Sequence, residues 1–361
     1  MRQESVALTS IRGFAALWVF GHHINLMLGV MGYPIYGPAF KPGYVAVDIF
    51  FVLSGFILTT VYRGLEWRGV GRFLTRRVFR VYPMHLFVLG AMLVLWLDLY
   101  LKHGVYDPTQ ELRWLPLQAL MLQPFFYHQL MWNAVSWSVA VELVCYIVFP
   151  LVIMRMRHAP VWLLAFAILV LARLEIHLQN YDVVIWGWGA VFRGLVGFGL
   201  GLAIRLVSEK ITTPSRAVAS LIELVALAGI IGSVATQHVP YVPLFAALLI
   251  VALSWEAGVV AWVLGFGVCF WLGRISFSVY LLHAEAIGQI WARFPPTRLP
   301  FSHNMNGIVW SFMTVGIVLA TATVTWRLVE EPCRRWGGRI GRKVQAATVH
   351  AAPASAPVGA D

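Results

Sequence analysis

Apolar runs of about twenty residues follow one another along most of the chain, and this restricts the fold more than any other feature. A helical run of that length matches the ~30 Å hydrocarbon core of a bilayer. Inside hydrocarbon each backbone N–H and C=O must find its partner within the protein, so such a run crosses as a helix. Composition agrees, at 60% hydrophobic and 12% charged residues with mean hydropathy +0.75, where soluble domains are about a quarter charged. The 16 tryptophans and 22 phenylalanines fit interfacial belts and lipid-facing helices. About ten spans are read, at 5–31, 43–62, 82–101, 136–154, 160–177, 185–206, 217–236, 241–256, 273–293 and 306–328. Of these, 241–256 is the shortest and lies close to the apolar run 259–272. The expectation is an all-α, polytopic integral membrane bundle of about ten transmembrane helices. Residues 1–343 form the transmembrane domain, and 344–361, Ala/Pro/Val-rich from Ala346 onward, form a disordered tail.

The net charge of +11 follows from topology and requires no nucleic acid. With the N-terminus in the cytosol, most of the 27 Lys and Arg fall on cytosolic ends and loops, as the positive-inside rule requires. Arg2 and Arg12 lie there, with Arg63 to Arg80, Arg155 and Arg157, Arg205 to Arg216, Arg274, and Arg327 to Lys343. Both termini are then cytosolic. Arg12 interrupts the first apolar region and no clear small-residue cleavage site follows, which argues against a signal peptide. Cys145, Cys269 and Cys333 lie in or near spans or in the cytosolic tail, so no disulfide framework is expected. There is no repeat at fixed period, no separate soluble domain and no metal-ligand cluster.

The first span carries Arg12, His22 and His23. Ionisable groups in a bilayer are costly unless they face a protein interior or a wet cavity, and are functional candidates by default. At about 100° per residue Arg12 and His23 share a helix face, whereas His22 points about 80° away from Arg12. Their axial separation of roughly 16 Å puts Arg12 near one membrane surface and His23 near mid-bilayer. The alternative for His23 is a core histidine bonded to a neighbouring carbonyl.

Polar groups on other spans converge on the same region. Asp48 sits about one and a half turns inside the outer surface, either at a solvated interfacial position or facing a functional interior. Ser54 and Gly55 lie mid-span, where small residues let helices pack closely. Arg72, Arg76 and Arg80 recur every four residues, with Arg77 beside them. Such a stripe serves either anionic lipid headgroups or a phosphorylated cytosolic ligand, since guanidinium forks suit phosphate. Ser138 and Glu142 share a face as an i, i+4 pair, and Glu142 is expected to find a partner in His23 or Arg12, for chemistry or as a structural ion pair. Ser276, Tyr280 and His283 form an inward-looking ridge, read either as interhelical hydrogen bonding or as part of a site.

These blocks resemble the membrane acyltransferase-3 family of bacterial O-acyltransferases. The match comprises Arg12 and His23 with ten residues between them, Val47-Asp48-x-Phe-Phe-Val-Leu-Ser54-Gly55-Phe and Arg76-Arg77-x-x-Arg80-x-x-Pro83. It continues with Trp137-Ser138-Val-Ala-Val-Glu142, Gly273-Arg-Ile-Ser276-Phe-Ser-x-Tyr280-Leu-Leu-His283 and Val329-Glu330-Glu-Pro332. The blocks stand in the family's order from residue 12 to 332. Phe277 departs from the pattern, standing where tyrosine is usual. No C-terminal esterase-like domain is expected, and so no second transfer step on one.

The resemblance implies a multi-pass enzyme of the bacterial cytoplasmic membrane. It would move an acyl group, usually acetyl, from cytosolic acyl-CoA to a hydroxyl of an extracytoplasmic glycan. O-antigen, exopolysaccharide, peptidoglycan and nodulation oligosaccharides are acceptor types in the family. Acyl-CoA is a co-substrate, and no cofactor is held permanently. His23, Glu142 and Arg12 are the catalytic candidates: His23 as general base or transient acyl carrier, Glu142 to orient it or bind acceptor, Arg12 to neutralise charge near the donor. Arg76, Arg77 and Arg80 would hold coenzyme A phosphates. Asp48, Ser54, Trp137, Ser138, Tyr280 and His283 are substrate-binding or supporting candidates. Trp114, Phe125, Phe126, Tyr127 and Trp132 fit an interfacial belt better than a sugar-stacking platform. The rival reading is a proton-coupled transporter using His23, Glu142 and Asp48 as a relay, and the absence of inverted repeats weighs against it. A non-catalytic scaffold for glycan assembly leaves the intramembrane charges without a purpose.

Overall fold

A computed structural model describes residues 5–30, 32–33, 40–104, 110–126, 132–156, 158–177 and 187–350. The helices are α1 (Val6–Val30), α2 (Ala46–Tyr62), α3 (Trp67–His103), α4 (Leu115–Ala119), α5 (Gln123–Phe126), α6 (Trp137–Met156) and α7 (Pro160–His177). They continue as α8 (Gly187–Val207), α9 (Arg216–Ala235), α10 (Val242–Ser254), α11 (Val259–Leu264), α12 (Gly267–Arg293), α13 (His303–Thr325) and α14 (Glu331–His350). A π turn, Trp326–Glu330, joins α13 to α14. There is no strand among the described residues. The protein is an all-α polytopic membrane bundle. Arg2, Arg157, Tyr127, residues 31, 185 and 186 of the expected spans, and the tail beyond 350 lie outside the described residues.

Eight helical stretches among the described residues are long and apolar enough to cross a bilayer. The other two expected spans correspond to α7, of 18 residues, and α10, of 13. At 1.5 Å per residue α10 covers about 20 Å, less than the hydrocarbon thickness. Its Val242, Ala246, Ile250, Ala252 and Leu253 are completely buried, so it is a core helix wedged among longer ones.

Two boundaries differ from expectation. The helix expected over 82–101 starts earlier, at Trp67: α3 runs unbroken for 37 residues, through the arginine stretch and with Pro83 inside it. Its length of about 55 Å carries the basic half beyond any apolar slab. The tail expected from 344 is helical as far as His350. The physical reason is packing: α14 lies antiparallel to the basic half of α3, with Gly337 against Phe79 and Gly341 against Arg72. Arg72 donates to Gln345 Oε1 at 2.7 Å.

Close helix approaches at glycine build the rest. A Cβ on Gly273 of α12 would stand 2.1 Å from the Thr9 carbonyl of α1, and one on Gly13 would be 2.7 Å from the Gly273 nitrogen. The same happens between α2 and α8, where Cβ atoms on Gly55 and Gly201 would meet the carbonyls of Phe198 and Val52 at 2.0 and 1.9 Å. Small residues of this kind bring helix backbones together where no hydrophobic effect drives them. The first contact sets the Arg12–His23 face against the Ser276–Tyr280–His283 ridge.

Candidate active site

A cavity of about 640 Å³ runs between α1, α2, α3, α6, α8, α12 and α14. Arg12, Arg76, Arg77 and Arg80 all line it, as the arginine spacing suggests, and Arg205 and Arg334 join them. The wall further in carries Ser54, Ser138, Glu142, Tyr146, Ser276 and Tyr280. One cavity therefore links a strongly cationic cluster to a hydroxyl-lined wall around the Glu142 carboxylate.

The cavity arginines are held in different ways. Arg77 donates to the Tyr62 hydroxyl at 3.4 Å, its guanidinium carbon lies 5.6 to 5.8 Å from the ring centres of Tyr62, Phe73 and Tyr146, and its Nε has no partner. An aromatic box of this kind orients a guanidinium without using up its N–H groups. Arg12 makes no hydrogen bond or ion pair with a described residue, and Glu142, Glu330 and Arg80 lie within electrostatic reach of it. Arg205 is anchored by Thr60 at 2.9 Å and Arg334 by Glu331 at 2.6 Å. Arg72 is drawn away to Gln345, so the ridge supplies Arg76 and Arg80 but not its first member.

Glu142 does not meet His23. Its carboxylate accepts from Ser54 at 2.9 Å and from Tyr146 at 2.5 Å. The expected histidine partnership is not formed: Ser54 and Tyr146 occupy Glu142, and His23 packs on His283 instead. The expected nearness to Arg12 holds as a long-range attraction across the cavity. Ser138 and the Tyr280 hydroxyl lie 2.6 Å apart, and Tyr280 also donates to the Val135 carbonyl at 3.0 Å. Ser276 is spent on the Gly273 carbonyl at 2.8 Å.

His23 instead faces His283, a pairing the sequence did not suggest. The two rings are 4.9 Å apart, with His283 Nε2 at 3.3 Å from His23 Nδ1. His23 Nδ1 is also 3.0 Å from the Val19 carbonyl, and His283 Nδ1 is 3.2 Å from that of Val279. A neutral imidazole carries one proton, and carbonyls only accept. This network assigns the protons: His283 holds its own on Nδ1, which leaves its Nε2 as an acceptor. His23 Nδ1–H then has two acceptors within reach, and His23 Nε2 keeps a free lone pair. The carbonyl-bonded alternative for His23 is therefore realised, at Val19, and it leaves Nε2 uncommitted. His22 turns elsewhere, with Nδ1 at 2.6 Å from the Lys41 carbonyl. Neither His23 nor His283 lines the cavity; Tyr280 does, and its ring is 5.7 Å from that of His283.

Asp48 and Trp137 stand apart from the cavity. Asp48 is 1% exposed, not at a solvated interface, and forms a bidentate pair with Arg193 of α8 at 2.8 and 2.7 Å. Trp137 packs on Phe51 and covers the Arg193 guanidinium at 5.8 Å. Arg193 was absent from the expected set, although a lone arginine within the apolar run of α8 was itself a signal that an acid on another span must face it.

The acyltransferase 3 model, an acyltransferase domain, matches residues 5–327. The chain belongs to the acyltransferase 3 family. Among curated proteins, it is 29% identical to acyltransferase MdmB of Streptomyces mycarofaciens, over 92% of each chain. It is 23% identical to the putative peptidoglycan O-acetyltransferase YrhL of Bacillus subtilis, over 92% of this chain and 55% of that one. It is 34% identical to protein 2 in the picA locus of Rhizobium radiobacter, over 30% of this chain and 54% of that one. The chain thus spans about half the length of two of these relatives. No solved structure is significantly similar. Within the acyltransferase 3 match lie all the residues of the arginine-lined cavity except Arg334.

Proposed function

We propose that the protein transfers an acyl group, acetyl in the first instance, from cytosolic acyl-CoA to a hydroxyl of an extracytoplasmic glycan. The observation that carries this reading is the cavity ringed at one end by arginines, one of them with an unpartnered Nε, whose inner wall includes Tyr280, next to the His283–His23 pair. Coenzyme A has this polarity, with a phosphorylated nucleotide at one end and a slender pantetheine arm at the other. Arg76, Arg77 and Arg80 suit its phosphates, and the apolar wall of Val47, Phe50 and Phe277 suits the arm. The relatives' names support acyl transfer, and the sugar-polymer acceptor of one of them supports a glycan.

In this reading His23 Nε2 takes the proton of the acceptor hydroxyl as its oxygen attacks the thioester carbonyl. The C–S bond breaks, and the coenzyme A thiolate recovers the proton. His283, through His23 Nδ1, keeps the ring in the tautomer that leaves Nε2 basic. The arginine-rich end is the cytosolic face in this arrangement, with both termini there.

The test uses the purified full chain. Wild type should bind acetyl-CoA saturably and acylate its glycan. His23→Ala should lose transfer by a factor of about 10²–10⁴ while acetyl-CoA affinity and thermal stability stay at the wild-type level. A His23→Ala protein that acylates normally would overturn the mechanism. Proton-coupled solute uptake by wild type without acyl consumption would replace it with the transporter reading.

A further inference from the structure

A second cavity, of about 600 Å³, lies outside the first, between the start of α12, the π turn and α14. Arg274, Arg327 and Arg339 line it, together with Trp271, Trp326 and Trp336. None of the three arginines makes a hydrogen bond or ion pair with a described residue. Arg274 instead sits over the Trp326 ring, its guanidinium carbon 4.3 Å from the ring centre, with Phe270 at 6.0 Å. A guanidinium stacked in this way is held in place while its N–H edge stays available. Only one acid, Glu331, lines the pocket, and Arg334 and Arg335 already occupy it.

The geometry points to a binding site for the phosphate headgroup of an anionic phospholipid, held by Arg274, Arg327 and Arg339. Two features select a lipid over a free phosphate compound. Exposed apolar side chains flank the arginines, with Leu328 at 72%, Val268 at 59% and Trp336 at 59% exposure, as acyl chains and glycerol require. The site also lies at the same end of the bundle as the other arginine clusters, where a membrane surface would meet it. The stripe Arg72–Arg76–Arg80, which the sequence also offered to lipid, is unavailable, since α14 and the first cavity claim it. Because Arg335 and Arg339 of α14 border this pocket while Arg334 of the same helix borders the first cavity, lipid here would seat that helix.

Native mass spectrometry of the full-length protein from bilayer discs containing equal phosphatidylglycerol and phosphatidylcholine tests the site. Wild type should retain phosphatidylglycerol selectively. Arg274→Gln/Arg327→Gln should lower that retention by roughly 25-fold, about fivefold per arginine, and Arg327→Gln alone by about fivefold. The control Arg68→Gln/Arg216→Gln, which removes the same charge elsewhere, should retain the lipid as wild type does. The proposal fails if wild type shows no lipid preference, or if the control loses as much as the pocket variants. It also fails if millimolar inorganic phosphate displaces the lipid, or if Arg327→Gln loses acetyl-CoA affinity, which would assign the pocket to the donor.

Discussion

Two arginines of the helical bundle illustrate opposite uses of the same side chain. Arg193 is 3% exposed, gripped by both oxygens of Asp48 and covered by Trp137. Arg77 is surrounded by three rings, holds one long bond to Tyr62 and leaves its Nε unsatisfied beside a cavity. A buried charge that the chain closes off by itself is architecture. One that is oriented but left open is the kind of group an anion can complete, as the proposed donor-binding role of Arg77 requires.

The sharpest way to break this contrast is Asp48→Ala. It strands the Arg193 charge in the core and should destabilise the protein by about 3–5 kcal/mol, read as a large fall in thermal midpoint or failure to accumulate in membranes. Arg77→Ala should do the reverse. Acetyl-CoA affinity should drop by about 10- to 100-fold, the equivalent of about 1.5–3 kcal/mol for lost charge-assisted bonds, with the thermal midpoint close to wild type. If calorimetry showed unchanged affinity and the protein unfolded instead, Arg77 would belong with Arg193. Smaller still is Trp137→Phe, which weakens the cover over Arg193 by about 0.5–1 kcal/mol and should leave acetyl-CoA binding untouched.

Local geometry made part of this site readable in the sequence. Helical phase separated His23 from His22, put Ser138 and Glu142 on one cavity wall and turned Ser276, Tyr280 and His283 inward. Four-residue spacing found Arg76 and Arg80, while it gave no hint that Arg72 is held by Gln345, 273 positions away. The pairings between distant spans were beyond its reach. Asp48 with Arg193, His23 with His283 and Glu142 with Ser54 depend on how the helices cross, and periodicity on one helix carries no information about the rotation of another. Tyr62, Tyr146, Arg205 and Arg334 were missed for the same reason.

The π turn at Trp326–Glu330 has a consequence for the whole far end of the chain. The Glu331 N–H reaches back to the Trp326 carbonyl, five residues earlier, and Pro332 has no N–H to offer Leu328, so the turn absorbs one residue more than an α-turn would. Glu330 can then point inward to Ser278 at 2.7 Å while Arg327 points outward. Removing a single residue here would turn everything downstream by about 100° about the helix axis. The turn thus works as a phase offset between two gears. α13 keeps its own mesh with the bundle, and α14 engages α3 with Arg334 toward one cavity and Arg339 toward the other.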